Sequence, residues 1–231
     1  MSIKENVAEV RAKIARAAKE SGRNAEDIIL VAATKMNDAE RVKEAVKAGI
    51  DVAGENRVQE LLEKYEQGAY EGVPLHFIGT LQTNKVKYLI GKVAMIESVG
   101  SIKCLAEISR LAKKHDIVQD VLIEVNIGDE ESKSGIPAEE LEGFLEEAAG
   151  FENIRVRGLM TIPPIFGEKE EQSQIFCKMR QLFVDMSAKK YDNISMDFLS
   201  MGMSGDYEEA IRCGANIVRV GTGIFGARHY H

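Results

Sequence analysis

No stretch of this sequence is apolar for long enough to cross a bilayer. The longest runs, such as Ile28 to Ala33, fall far short of the about 20 residues a spanning helix needs. The opening residues Met1-Ser2-Ile3-Lys4-Glu5-Asn6 lack the apolar stretch of a secretory signal, so no membrane association and a cytoplasmic location are expected. Cysteine is scarce. Cys104, Cys177 and Cys213 are odd in number and isolated, with no Cys-x-x-Cys or His-linked spacing. Reduced thiols are therefore expected, with neither a disulfide framework nor a metal site. Excess positive charge is missing too. Thirty Lys and Arg against 37 Asp and Glu give a formal net charge of −7, which argues against a broad nucleic-acid surface. A local phosphate site survives that argument, because one loop and one helix end supply enough donors. No linker, charge block or low-complexity segment divides the chain, and its 231 residues suit one domain, 1–231.

What is present is a regular alternation of helical and strand-like segments. Ile3 to Lys19 reads as an extra N-terminal helix, with Ile3, Val7, Val10, Ile14 and Ala18 at three- and four-residue steps. Ile28 to Thr34 follows as an apolar strand. Asp38 is placed to cap the next helix, which ends near Gly49. Seven further strands are expected at Asp51–Gly54, Leu75–Gly79, Val93–Val99, Val121–Asn126, Ile154–Thr161, Met196–Met201 and Ile217–Val220. The helices between them are expected at Val58–Tyr65, Asn84–Ile90, Ile102–Lys114, Glu139–Ala149, Lys169–Lys189 and Tyr207–Cys213. Continuous apolar strands separated by helices indicate a parallel sheet covered on both faces. Eight such units fit an α/β fold of the (β/α)8 TIM-barrel class in a single domain; an open doubly wound sheet is the alternative.

In such a barrel, reactive groups gather where strands end, and phosphate commonly sits after strands seven and eight. Strand one runs straight into Thr34-Lys35, and alternation puts Ile29, Val31, Ala33 and Lys35 on one face. Lys35 is either a solvated lysine opening a loop or an amine at the barrel mouth, where low-dielectric surroundings favour Schiff-base chemistry. After strand seven comes Ser200-Met201-Gly202-Met203-Ser204-Gly205-Asp206, and after strand eight Gly221-Thr222-Gly223. Both combine glycine with hydroxyls, as a phosphate site requires, and neither is a Walker motif. Arg219 shares a face with Ile217 and Gly221 and is expected to point inward. There it meets a buried acid such as Glu124 or an acceptor on a ligand. An amine, an interior guanidinium and paired phosphate loops suit a phosphorylated aldehyde, of which pyridoxal 5′-phosphate (PLP) is the obvious candidate.

These residues also carry a resemblance. Val31-Ala32-Ala33-Thr34-Lys35, Gly54-Glu55-Asn56-Arg57, His76-Phe77-Ile78-Gly79-Thr80-Leu81-Gln82-Thr83-Asn84-Lys85 and Lys133-Ser134-Gly135 are four of its segments. Val125-Asn126-Ile127, Gly158-Leu159-Met160-Thr161, Leu199-Ser200-Met201-Gly202-Met203-Ser204 and Val218-Arg219-Val220-Gly221-Thr222-Gly223-Ile224-Phe225-Gly226-Ala227-Arg228 complete it. The chain resembles the PLP homeostasis protein family, small relatives of the alanine racemase-type (fold type III) barrels that bind this vitamin B6 cofactor. The resemblance implies that Lys35 forms the internal aldimine and that Ser204, Gly221 and Thr222 cradle the phosphate, with Met203 contributing backbone. It also implies that Arg219 faces the pyridine nitrogen and that Asn56 lies near the ring. His76 belongs to the motif but is expected to be a core or groove histidine. Two departures are visible: the loop after Lys35 lacks the proline common in the family, and Leu75 replaces an aromatic residue.

An arginine facing the pyridine keeps that nitrogen unprotonated and weakens the ring as an electron sink. The larger racemases add a β-rich domain with a catalytic tyrosine, whereas this sequence runs only a few residues past strand eight. Its tyrosines, Tyr65, Tyr70, Tyr88, Tyr191, Tyr207 and Tyr230, fall on helices, their flanks or the tail. The expected function is therefore intracellular PLP homeostasis, holding the cofactor and delivering it to PLP-dependent apoenzymes, as a monomer without catalytic residues. A weak amino-acid racemase or other PLP enzyme is the alternative, with a Schiff-base aldolase behind it.

Overall fold

In the computed structural model, residues 2–128, 134–163 and 169–226 are described. The motif residues Lys133, Ala227 and Arg228, and Tyr230 of the tail, lie outside them. The strands are β1 (Ile29–Ala33), β2 (Val52–Glu55), β3 (Leu75–Phe77), β4 (Met95–Val99), β5 (Gln119–Asn126), β6 (Ile136–Pro137), β7 (Ile154–Met160), β8 (Ile194–Ser200) and β9 (Ile217–Val220). Their hydrogen-bonded order is β4-β3-β2-β1-β9-β8-β7-β5-β6, and β4 pairs in addition with β5. Leaving aside the two-residue β6, eight strands return on themselves, and the fold is the (β/α)8 barrel. Strands seven and eight of the sequence are thus β8 and β9.

The chain divides into two compact units: Met1–His76 with Met201–His231, and Phe77–Ser200. In the first unit α1 (Ile3–Glu20) buries Ile3, Val7, Val10, Ile14, Ala17 and Ala18, the stripe its sequence periodicity marks. Ser2 and Glu5 close a reciprocal capping box at its start. Asp38 caps α2 (Ala39–Lys47) by accepting from the Arg41 N–H at 2.9 Å. α3 (Val58–Glu66), α7 (Tyr207–Arg212) and the single turn α8 (Thr222–Phe225) complete this unit. β1 lies between β2 and β9, parallel to both. Leu30, Ala32, Val218 and Val220 on one face and Val31 and Ile217 on the other are all fully buried. A sheet covered on both faces is what runs without polar alternation predict.

The second unit holds β4, β5, β7 and β8 with α4 (Ile102–Lys114), α5 (Leu141–Ala148) and α6 (Lys169–Ser187). β5 pairs in parallel with β4 and β7, and β7 with β8. Two details depart from the sequence pattern. The segment expected as a helix over Asn84–Ile90 is a 3-10 turn over Thr83–Tyr88. It buries only Val86, too little apolar surface to offset the nucleation of an α-helix. β6, which nothing in the sequence announces, adds two residues to the edge of β5. No disulfide joins the three cysteines, and burial pushes the Cys104 thiol up to about 11, so it is unionised and inert. Among the described residues no helix is long and apolar enough to cross a membrane, and no cluster of His, Cys, Asp or Glu is arranged to hold a metal.

Candidate functional site

Lys35 lies just past the end of β1, after Thr34, and is half-buried. The chain turns there at once. The Thr34 carbonyl accepts from the Asn37 N–H at 3.2 Å, and Met36 takes a left-handed φ of 61°. A non-glycine residue in that region is costly by roughly 1–2 kcal/mol, so the turn must be held from outside. Asn37 Nδ2 donates to the Lys35 carbonyl at 3.0 Å, and the Met36 N–H donates to Glu60 Oε2 at 2.8 Å. These contacts fix the backbone on both sides of the lysine in the absence of the family's proline.

Strand register explains the room in front of it. Val31 pairs with Arg219 and Ala33 with Gly54, so alternation places Ala33, Gly54 and Gly221 in one layer on the same face. A methyl added to Gly221 would touch Ala33 Cβ at 3.5 Å, which confirms their proximity. This layer has almost no side-chain volume. One step below it lies Arg219, 3% exposed, and one step above are Lys35 and Asn56. Space between a guanidinium and an amine is therefore built in by three small residues. Asn56 Oδ1 is buried with no hydrogen-bond partner among the described residues, the kind of acceptor that a ligand donor would satisfy.

The loops after β8 and β9 meet through a hydroxyl. Ser204 Oγ accepts from the N–H groups of Gly221 and Gly223 at 3.1 and 3.2 Å. An anion at this place would find the same N–H donors together with the hydroxyl, and Thr222 is exposed beside them. Gly202 makes the approach of this loop possible. Its φ is +94°, and a Cβ there would lie 2.6 Å from Ala210 Cβ. The Met203 N–H is bonded to Asp206 Oδ1, so Met203 shapes the loop rather than offering a spare donor. Burial raises the Asp206 pKa, against the opposing pull of the Met203 N–H and the Arg219 charge.

Lys35, Gly221 and Thr222 line a cleft of about 320 Å³ together with Ala33, Met36, Asn37, Asp38, Arg41, Phe225 and Gly226. That volume is at the lower end for small-molecule sites. Met203, Ser204, Arg219 and Asn56 do not line this cleft. Several contributors escaped the sequence pattern. Arg41 stacks over Phe225 with its guanidinium carbon 5.9 Å from the ring centroid, donates to the Phe225 carbonyl and donates to Asn37 Oδ1 at 3.1 Å. Glu55, Glu60 and Lys64 form a charged cluster beneath the Lys35 turn. A lysine at a core position of α3, three residues after Leu61, was the available signal. His76 is buried on β3, in keeping with a core histidine.

The residues fit PLP: an amine for an aldehyde, hydroxyl and N–H donors for a phosphate, a cation beneath the ring's space and an unsatisfied acceptor at its edge. Comparison with known proteins agrees. The model of the alanine racemase N-terminal domain matches residues 3–229. A pyridoxal phosphate homeostasis protein of Aquifex aeolicus is 44% identical over 230 residues, covering 100% of both chains. The crystal structure of an unknown protein from Bifidobacterium adolescentis is similar with a TM-score of 0.91 and 36% identity, over 96% of this chain and 94% of that one. PipY of Synechococcus elongatus, solved with PLP bound, gives a TM-score of 0.84 at 27% identity, over 97% and 100% of the two chains.

Proposed function

The chain belongs to the family of pyridoxal phosphate homeostasis proteins, built on the alanine racemase N-terminal domain, and from that premise we propose that it binds PLP and holds it for release to apoenzymes. One observation carries the reading: an amine, a buried guanidinium and two phosphate-suited loops converge on a layer of small residues. Lys35 would supply the amine that holds the cofactor through its aldehyde. Ser204, Thr222 and the backbone of Gly221 hold the phosphate, in a loop that Met203 shapes through Asp206. Arg219 would offer its buried guanidinium to the pyridine ring, and Asn56 Oδ1 would be an acceptor for a donor on it.

When bound, PLP supplies an electron sink, which a neutral pyridine facing a permanently charged guanidinium makes a weak one. Arg219 therefore favours storage over turnover. The full-length match to curated relatives supports reading 1–231 as one functional domain, and we take it to act as a monomer in the cytoplasm. A family match to a racemase domain keeps weak racemisation as the second reading, and incubation with single enantiomers of amino acids, followed by chiral analysis, tests it.

The absorbance spectrum of the purified protein mixed with PLP is the direct test. A visible imine band is expected, lost on borohydride reduction with the label on Lys35 by mass spectrometry. Lys35→Ala should abolish band and label yet retain weaker, phosphate-anchored binding. A full band in Lys35→Ala would disprove the assignment to Lys35, and no band in the parent protein would disprove the cofactor reading.

A further inference from the structure

A buried charge cluster under the β1–β2 end has no role in the chemistry just described. Glu55 is fully buried at the end of β2, and Lys64, 6% exposed, reaches it from α3 at 2.7 Å. The three protons of the Lys64 ammonium have three acceptors: Glu55 Oε2, the Thr34 carbonyl at 2.8 Å and Glu60 Oε2 at 3.2 Å. Glu55 Oε2 also accepts from the Thr34 hydroxyl at 2.8 Å, and its Oε1 accepts from the Asn56 N–H at 2.7 Å. Glu60 Oε2 in turn accepts from the Met36 N–H. The cluster thus grips Thr34 and Met36, the residues on either side of Lys35, and the backbone of Asn56 as well.

Burying an ion pair rarely adds stability over an apolar pair of similar volume, so stabilisation alone is a weak explanation for charges here. What a charged cluster offers instead is direction, because each hydrogen bond fixes an angle as well as a distance. It holds a left-handed Met36 that the bare chain would leave. An amine on a four-carbon stem adds to a carbonyl efficiently only when the base of that stem is held in place.

We propose that Glu55, Lys64 and Glu60 are positioning residues that lock the backbone at Lys35 and Asn56, and so set how fast Lys35 captures an aldehyde. This rests on the PLP reading above. Glu60 is the member best suited to a test. It is partly exposed on a helix, where alanine is well tolerated, and it leaves the Glu55–Lys64 pair intact.

The experiment mixes the apoprotein with PLP and follows the visible band in time, for the parent protein, Glu60→Ala and Glu60→Gln. Retention of pyridoxine 5′-phosphate, which carries the same phosphate and ring but no aldehyde, is measured alongside. Glu60→Ala should slow band formation about tenfold, Glu60→Gln should restore it by keeping an acceptor for Met36, and pyridoxine 5′-phosphate retention should stay the same in all three. An unchanged rate in Glu60→Ala overturns the proposal. So does an equal loss for both ligands, which would mean a general structural defect. Absence of a band in the parent protein would instead bring down the PLP reading, and this proposal with it.

Discussion

Two ion-pair clusters, one in each compact unit, are built from the same residue classes and face opposite physical conditions. In the first unit Glu55 and Lys64 are closed off from water, with side-chain exposures of 0 and 7%, and Glu60 joins them from the rim at 20%. In the second, Asp120 bridges Arg155 at 2.7 Å and Arg157 at 3.0 Å, and Arg157 continues to Asp197 at 2.6 Å. Arg155 is 56% and Asp197 42% exposed. In the open ladder each charge can turn to water if its partner is lost, so geometry is optional. In the closed cluster the Glu55–Lys64 pair has no such refuge, so both must keep their partners and the backbone they grip. Burial, more than charge count, decides which cluster can position a functional residue.

The largest expected effect is therefore Lys64→Met, which leaves Glu55 buried without its counter-charge. A loss of about 3–5 kcal/mol in urea unfolding is expected. A loss below about 1 kcal/mol would place the two clusters in the same class. Next comes Gly202→Ala, which forces a Cβ against Ala210 at a left-handed φ. About 1–3 kcal/mol should be lost in the same assay, together with weaker PLP retention as the Ser204 loop shifts. Asp197→Ala in the open ladder should cost only about 0.2–1 kcal/mol, and that cost should vanish in 1 M salt while the cost of Lys64→Met persists.

The smallest effect separates the clusters least. Both contain a carboxylate held below its ordinary range. Burial opposes ionisation of Glu60, but the Met36 N–H and Lys64 outweigh it. Burial likewise opposes ionisation of Asp197, and Ser195 and Arg157 outweigh it. A depressed folded-state pKa contributes stability above the unfolded value, lost as pH falls through the folded one. The stability each carboxylate contributes should thus be lost as pH falls below the ordinary values of 4.5 for Glu60 and 3.8 for Asp197, and Glu60→Gln or Asp197→Asn should remove part of that dependence.

Much of the first unit's architecture was legible because its signals are local. The run Ile28–Ala33 could only be a buried strand, and alternation along it fixed which face Lys35 shares. Asp38, with its short acidic side chain ahead of a periodic stretch, announced a cap. The 3-10 turn at Thr83–Tyr88 was misread as a helix because pattern alone does not weigh how little surface a short segment buries. Strand β6 was missed because two residues carry no periodicity.

The sequence by itself determined the alternation of the eight barrel strands with helices, a buried arginine on the last strand and the glycine-hydroxyl loops, since each depends on neighbours within a few positions. Only the tertiary structure decided that Ala33, Gly54 and Gly221 form one empty layer, because that depends on register between strands over 20 residues apart. It alone brought Lys64 beneath Thr34, 30 residues away in sequence, and turned an ordinary helix lysine into a clamp on the residue beside Lys35. Hydrogen bonds between buried charges are set by distance in space, and no spacing along the chain encodes them.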